Sequence, residues 1–184
     1  MGRLTLFLGG ARSGKSSLAE KRASEIGGDS VLYLATSEVK DEEMRDRVEK
    51  HRASRPSAWV TIEAPRNIAR SLGKGRNEER VILIDCITFL VSNLLLEAGG
   101  GEDDNPFDEQ IEAVILAEIE ALLEYIVKTD ADFLLVSNEV GMGLVPPYAL
   151  GRAYRDLLGR ANQVLAAAAD DVFFLVAGVS MQMK

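Results

Sequence analysis

"LTLFLGGARSGKSSLAE", residues 4–20, decides the fold. Its first half, 4–8, is a continuous apolar run, as expected of a strand covered on both faces of a parallel sheet. Residues 9–16, "GGARSGKS", then fit G-x-x-x-x-G-K-[ST], and a helix-like stretch follows at 16–26. Gly9 and Gly14 let the backbone turn its N–H groups inward around phosphate oxygens, with Gly10, Ala11, Arg12 and Ser13 completing the turn. Lys15 is placed to reach the β- and γ-phosphates, and Ser16 to offer its hydroxyl to Mg²⁺. The positive end of the following helix adds to the attraction. A chance glycine turn would need neither the strand before it nor the helix after it.

The rest of the chain repeats the same alternation. Apolar runs at 31–35, 59–62, 81–84, 133–136 and 172–176 read as strands. Between them, helical patterns occupy 41–53, 66–72, 87–97, 107–128 and 149–168. This is the pattern of an α/β, doubly wound, mostly parallel sheet with helices on both faces, of P-loop NTPase type. "AGGGEDDNP" (98–106) is too short to link domains and reads as a surface loop, so residues 1–184 are expected to form a single domain.

Bulk composition narrows the function. The 184 residues are 47% hydrophobic and 27% charged, with a net charge of −8. Such a field repels phosphate polymers and anionic membranes, so any phosphate site must be a local basic pocket. Nucleic acid is not an expected partner. Cys86 is the single cysteine, which rules out an intramolecular disulfide and suits a reducing, cytoplasmic setting. The apolar start is too short for a secretion signal, and no run approaches the ~20 apolar residues of a membrane span.

Ligands of open α/β sheets lie beyond the carboxyl ends of the strands. Those ends carry Thr36 and Ser37, Glu63, Asp85, and "SNEVGMG" (137–143). Asp85 closes the buried run "VILID" and could hold Mg²⁺ through water, although it also stands where an N-cap for 87–97 would. "GMG" lacks a dinucleotide fingerprint, since Pro146 stands where its third glycine is needed.

His51 is the only histidine, in "EKHRASRPSAW" (49–59). On a helix, Met44, Val48 and His51 share a face, with Arg47, His51 and Arg55 as a neighbouring stripe. Pro56 ends that helix. One reading is an imidazole finishing an apolar stripe beside the helix C-terminus. The other is a nucleophile toward phosphorus, flanked by arginines whose planar forks suit phosphate oxygens. Composition and spacing leave the two level.

"GGARSGKS", "YLATSEVKDEEMRDRVEKHRASRPSAWVTIEAP", "LIDCIT" with "SNLL", and "SNEVGMGLVP" with "GRAYRDLLGRANQVLAAAAD" together resemble the bifunctional adenosylcobinamide kinase / adenosylcobinamide-phosphate guanylyltransferase family, over nearly the whole chain. The resemblance implies a RecA-like P-loop fold, a homotrimer, and GTP, ATP and adenosylcobinamide as substrates. It implies phosphorylation of the aminopropanol hydroxyl of adenosylcobinamide, then guanylyl transfer from GTP to that phosphate. His51 matches the histidine that carries GMP. Arg52, Ala53, Ser54, Arg55, Glu63 and Asp85 match nucleotide-contacting positions. Pro147, Tyr148 and Leu90 depart from the family pattern, which touches acceptor binding rather than the cradle. A single-function P-loop kinase and a RecA-like ATPase or nucleotide switch remain as alternatives. The Asn/Thr-Lys-x-Asp motif of switch GTPases is absent, which disfavours the last.

Overall fold

The computed structural model describes residues 2–38, 55–74, 78–99 and 108–184. The expected helix 41–53, with His51, Arg52, Ala53 and Ser54, lies outside the described residues, as does most of the expected loop 98–106. Strands are β1 (Leu4–Gly9), β2 (Val31–Ala35), β3 (Val60–Glu63), β4 (Val81–Asp85), β5 (Asp132–Asn138), β6 (Asp171–Val176) and β7 (Val179–Gln182). Helices are α1 (Lys15–Gly27), α2 (Ile68–Gly73), α3 (Ile87–Gly99), α4 (Glu109–Val127) and α5 (Ala149–Ala168). The strands form one sheet in the order β3-β2-β4-β5-β1-β6-β7. All neighbours run parallel except β6 and β7.

Period-two alternation divides the central strands between two cores. Leu6, Leu34, Ile82, Ile84, Phe133 and Leu135 face the layer that includes α2, α3, α4 and α5. Phe7, Tyr33, Leu83, Leu134 and Val136 face the opposite layer, where α1 packs through Ala19 and Ala23. Small residues let that helix approach closely: a Cβ on Gly27 would meet Val31 Cγ2 at 2.8 Å. Phe7 and Leu6 are wholly buried, and each such side chain contributes about 1.5–3 kcal/mol by leaving water.

Two differences from expectation have local causes. Strand β7 follows Ala177 (φ 50°) and Gly178 (φ 83°), a positive-φ pair that suits a tight hairpin and adds one antiparallel edge strand. Helix α2 begins only at Ile68, because the chain bends at Pro65 and Arg66 and Asn67 takes φ 52° before it. Among the described residues no helix is long and apolar enough to cross a membrane.

Candidate nucleotide site

Strand order brings the phosphate motif and the acidic strand end together. Strand β5 lies between β1 and β4, with Gly9 opposite Asn138 and Asp85 opposite Val136. Beyond these ends lies a cleft of about 510 Å³, lined by residues 11–17, Ser37, Arg55, Asp85 and Asn138, with Tyr33, Cys86 and Phe89 among its walls.

The cradle is built on its glycines. Gly9 has φ +153°, and a Cβ there would stand 2.4 Å from the Leu175 carbonyl oxygen and 2.8 Å from Ser13 Oγ. Gly14 caps α1 at φ 95°. Arg12 holds φ 57° without being glycine, a conformation that costs about 1–3 kcal/mol and must be held by its surroundings. Part of that support is the β6–β7 hairpin, whose Gly178 N–H donates to the Ser13 carbonyl at 2.9 Å. The Lys15 ammonium donates to the Gly10 carbonyl at 2.7 Å and to Ser13 Oγ at 3.4 Å. Burial lowers its pKa, while the negative charge of Asp85 is among the effects opposing that.

On the far wall the Tyr33 hydroxyl donates to Asp85 Oδ2 at 3.0 Å. Burial, reinforced by Asp85, pushes the phenol well above its ordinary pKa, so it remains a neutral donor. The Arg55 guanidinium lies over the Tyr33 ring, 3.4 Å from its centroid. Its Nε stands 3.6 Å from Glu20 Oε1 on α1, with the arginine side chain only 6% exposed. Cys86 is buried in the same wall, and burial pushes its thiol up to about 12. It is not a nucleophile at neutral pH.

Ala11, Arg12, Ser13, Gly14, Lys15, Ser16, Ser37, Arg55 and Asp85 thus line one cleft, with Gly9 and Gly10 shaping its floor. Two expected residues are placed elsewhere. Thr36 is fully buried; its hydroxyl donates to the Cys86 carbonyl at 2.6 Å and accepts from the Cys86 N–H at 2.8 Å. It ties the ends of β2 and β4 together instead of facing ligand. Glu63 is exposed at the end of edge strand β3, with β2 between it and β4. Asp85 lies before the residue preceding α3, and its carboxylate accepts from Tyr33.

Sequence reasoning missed Tyr33, and it placed Asn138 at the ligand edge within "SNEVGMG" without singling it out. A phenol inside an apolar run signals a buried hydroxyl that needs a partner. Asn138 extends β5 beyond the expected strand. Its N–H donates to Thr88 Oγ1 at 2.8 Å and its carbonyl accepts from Asn162 Nδ2 at 3.0 Å. The backbone is held on both sides while the residue borders the cleft.

For a metal, Ser16 and Asp85 offer two hard oxygen donors in the same cleft. Among the described residues no cluster of three or more His, Cys, Asp or Glu side chains is assembled for a metal. A cation held here would take its other ligands from phosphate and water, which suits Mg²⁺ better than an all-protein cage.

Strand, glycine loop and helix, with an acidic strand end across one intervening strand, define a P-loop nucleotide-binding protein. The model of the cobinamide kinase / cobinamide phosphate guanyltransferase family matches residues 5–183. The chain is 43% identical to the bifunctional adenosylcobalamin biosynthesis protein CobU of Escherichia coli (strain K12), covering 98% of this chain and 99% of that one. It is 42% identical to the bifunctional adenosylcobalamin biosynthesis protein CobP of Pseudomonas aeruginosa, covering 97% and 96%. The chain belongs to the cobinamide kinase / cobinamide phosphate guanyltransferase family. Among solved structures, the flagellar accessory protein FlaH from Methanocaldococcus jannaschii overlays with a TM-score of 0.48 at 15% identity, covering all of this chain and 78% of that one.

Proposed function

We propose that this chain performs both family reactions through one triphosphate cleft. In the first, the γ-phosphoryl group of ATP or GTP passes to the aminopropanol hydroxyl of adenosylcobinamide. The P-loop N–H groups and Lys15 hold the phosphates in line and meet the charge that develops as the bond to the leaving oxygen breaks. Asn138, between the cradle and Asp85, is placed to orient the attacking or transferred oxygen. Mg²⁺, held by Ser16 and through Asp85, would neutralise charge on the phosphates.

In the second reaction a ring nitrogen of His51 attacks the α-phosphorus of GTP. An N–P bond forms, the bond to the β-phosphate oxygen breaks, and pyrophosphate leaves. The guanylyl group then passes to the phosphate of adenosylcobinamide phosphate, freeing His51 and giving adenosylcobinamide-GDP. Arg55 steadies phosphate oxygens, and Arg52, Ala53, Ser54 and Glu63 are assigned to the nucleotide by resemblance. The same reading makes residues 1–184 one domain of a cytoplasmic homotrimer.

One observation carries the shared cleft: the Arg55 guanidinium, four positions from His51, lies buried against Tyr33 in the P-loop cleft. Four residues reach at most about 14 Å when extended, a span that supports the reading of His51 as acting on a triphosphate in this cleft. The test is incubation with α-³²P-GTP and Mg²⁺. Label should be retained after denaturation, lost in acid and stable in base, as a P–N bond is. His51→Asn should lose label and guanylyl transfer yet still phosphorylate adenosylcobinamide. A labelled His51→Asn protein refutes the nucleophile, and an unlabelled wild type favours a single-function kinase.

A further inference from the structure

Tyr33 lies mid-strand in β2, all five of whose residues are buried. It touches two cleft residues with different parts of one side chain. Its hydroxyl donates to Asp85 Oδ2 at 3.0 Å, and its ring face carries the Arg55 guanidinium at 3.4 Å. The sheet makes this possible. Tyr33 pairs with Leu83, so Asp85, two residues further along β4, presents its side chain on the same face. The α1 residue Glu20 stands 3.6 Å from Arg55 Nε.

We infer that Tyr33 is a positioning residue of the triphosphate cleft. Its hydroxyl fixes the orientation of the Asp85 carboxylate, and its ring fixes the Arg55 guanidinium against the phosphates. The inference rests on the reading above, in which Asp85 serves the metal side of the triphosphate and Arg55 its oxygens. The two functions of the ring are separable, because phenylalanine keeps the face and loses the hydroxyl.

Binding of a fluorescent GTP analogue, titrated with Mg²⁺ and repeated in EDTA, reads both without requiring turnover. In Tyr33→Phe the Mg²⁺ concentration for half-maximal enhancement of binding should rise roughly tenfold, as expected when a hydrogen bond to a charged group is lost. Binding in EDTA should stay within twofold of wild type. Tyr33→Leu should show the same Mg²⁺ shift and also bind roughly 3- to 30-fold more weakly in EDTA, the range of a partly desolvated cation–π contact. Arg55→Gln leaves β2 untouched and should reproduce the EDTA loss alone. The double variant Tyr33→Leu/Arg55→Gln should be no weaker in EDTA than either single one. A residue that merely packs would lower the melting temperature and leave the Mg²⁺ midpoint in place. Wild-type Mg²⁺ dependence in Tyr33→Phe overturns the hydroxyl's role. Additive losses in the double variant overturn the ring's role, as does wild-type EDTA binding by Arg55→Gln should Tyr33→Leu fail to fold. A wild-type protein that binds no GTP analogue refutes the nucleotide reading itself, a separate outcome.

Discussion

Gly9 and Gly10 are adjacent in sequence, and the structure separates their roles by a measurable amount. A methyl group on Gly9 would stand 2.4 Å from the Leu175 carbonyl oxygen, whereas one on Gly10 meets nothing within 4 Å. The Leu175 oxygen is backbone in β6, paired in register with Gly9, so it cannot swing aside as a side chain could. To restore ordinary contact, β1 and β6 would have to part by about an ångström or the loop would have to change path. Overpacking of this kind costs about 1–3 kcal/mol, and the φ of +153°, unfavourable for alanine, adds about 1–3 kcal/mol. Gly9→Ala should therefore lose about 3 kcal/mol, a fall of roughly 6–12 °C in melting temperature for a chain of this size. Gly10→Ala should melt within about 2 °C of the parent by the same conversion. Thermal unfolding by circular dichroism, with GTP-analogue binding on the same samples, checks both. The reasoning fails if Gly9→Ala melts with the parent and binds normally, or if the two variants are equally destabilised.

Lys15→Ala should abolish both phosphoryl and guanylyl transfer while the fold survives, since both reactions place a triphosphate on the same ammonium and loop; normal guanylylation in the folded variant would mean two separate triphosphate sites. Thr36→Val should cost about 2–4 kcal/mol in urea unfolding, because two hydrogen bonds to the Cys86 backbone are lost and buried groups are left unpaired. The KM for GTP should change less than twofold, and a large KM effect with unchanged stability would return Thr36 to the ligand. Cys86, with its thiol pushed from 9.0 up to about 12, should react with iodoacetamide roughly a thousandfold more slowly than an ordinary thiol at pH 8, and at the ordinary rate in denaturant. Rapid modification of the native protein would show that the thiol is neither buried nor neutral.

What could be read from sequence depended on whether the information was local. The cradle was legible because strand, loop and helix are contiguous, and Lys15 needs no distant residue to be recognised. Asp85 was legible in part: its strand end was clear, but its partner is Tyr33, brought near only by pairing of β2 with β4. Thr36 misled for a related reason. A threonine after a strand looks the same whether it faces ligand or fastens a neighbouring strand, and only the position of Cys86 decides between them. Gly178 carried no visible link to the cradle, because its contact with Ser13 spans most of the chain. The hairpin strand β7 escaped notice because all four of its residues are exposed, leaving no buried alternation to detect.

The placement of basic groups in an acidic chain follows from the same geometry. A net charge of −8 gives no general attraction for a triphosphate, so each cation must be held at short range. The face of the sheet under α1 supplies this. Phe7, Tyr33, Leu83 and Val136 share that face with Ala19 and Ala23 of the helix, and the small alanines bring the helix axis close. Close approach puts Glu20, next to Ala19, within 3.6 Å of Arg55 Nε. The same helix begins at Lys15, so its N-terminus, its lysine and the arginine's anionic partner belong to one rigid body. Arg55 is thereby fixed relative to the cradle by contacts on two sides, tyrosine ring and glutamate, before any ligand arrives. A larger residue at Ala19 would push α1 outward and displace the cradle and the arginine partner together. The side-chain size of a buried helix face therefore helps to set the spacing of the phosphate-binding groups.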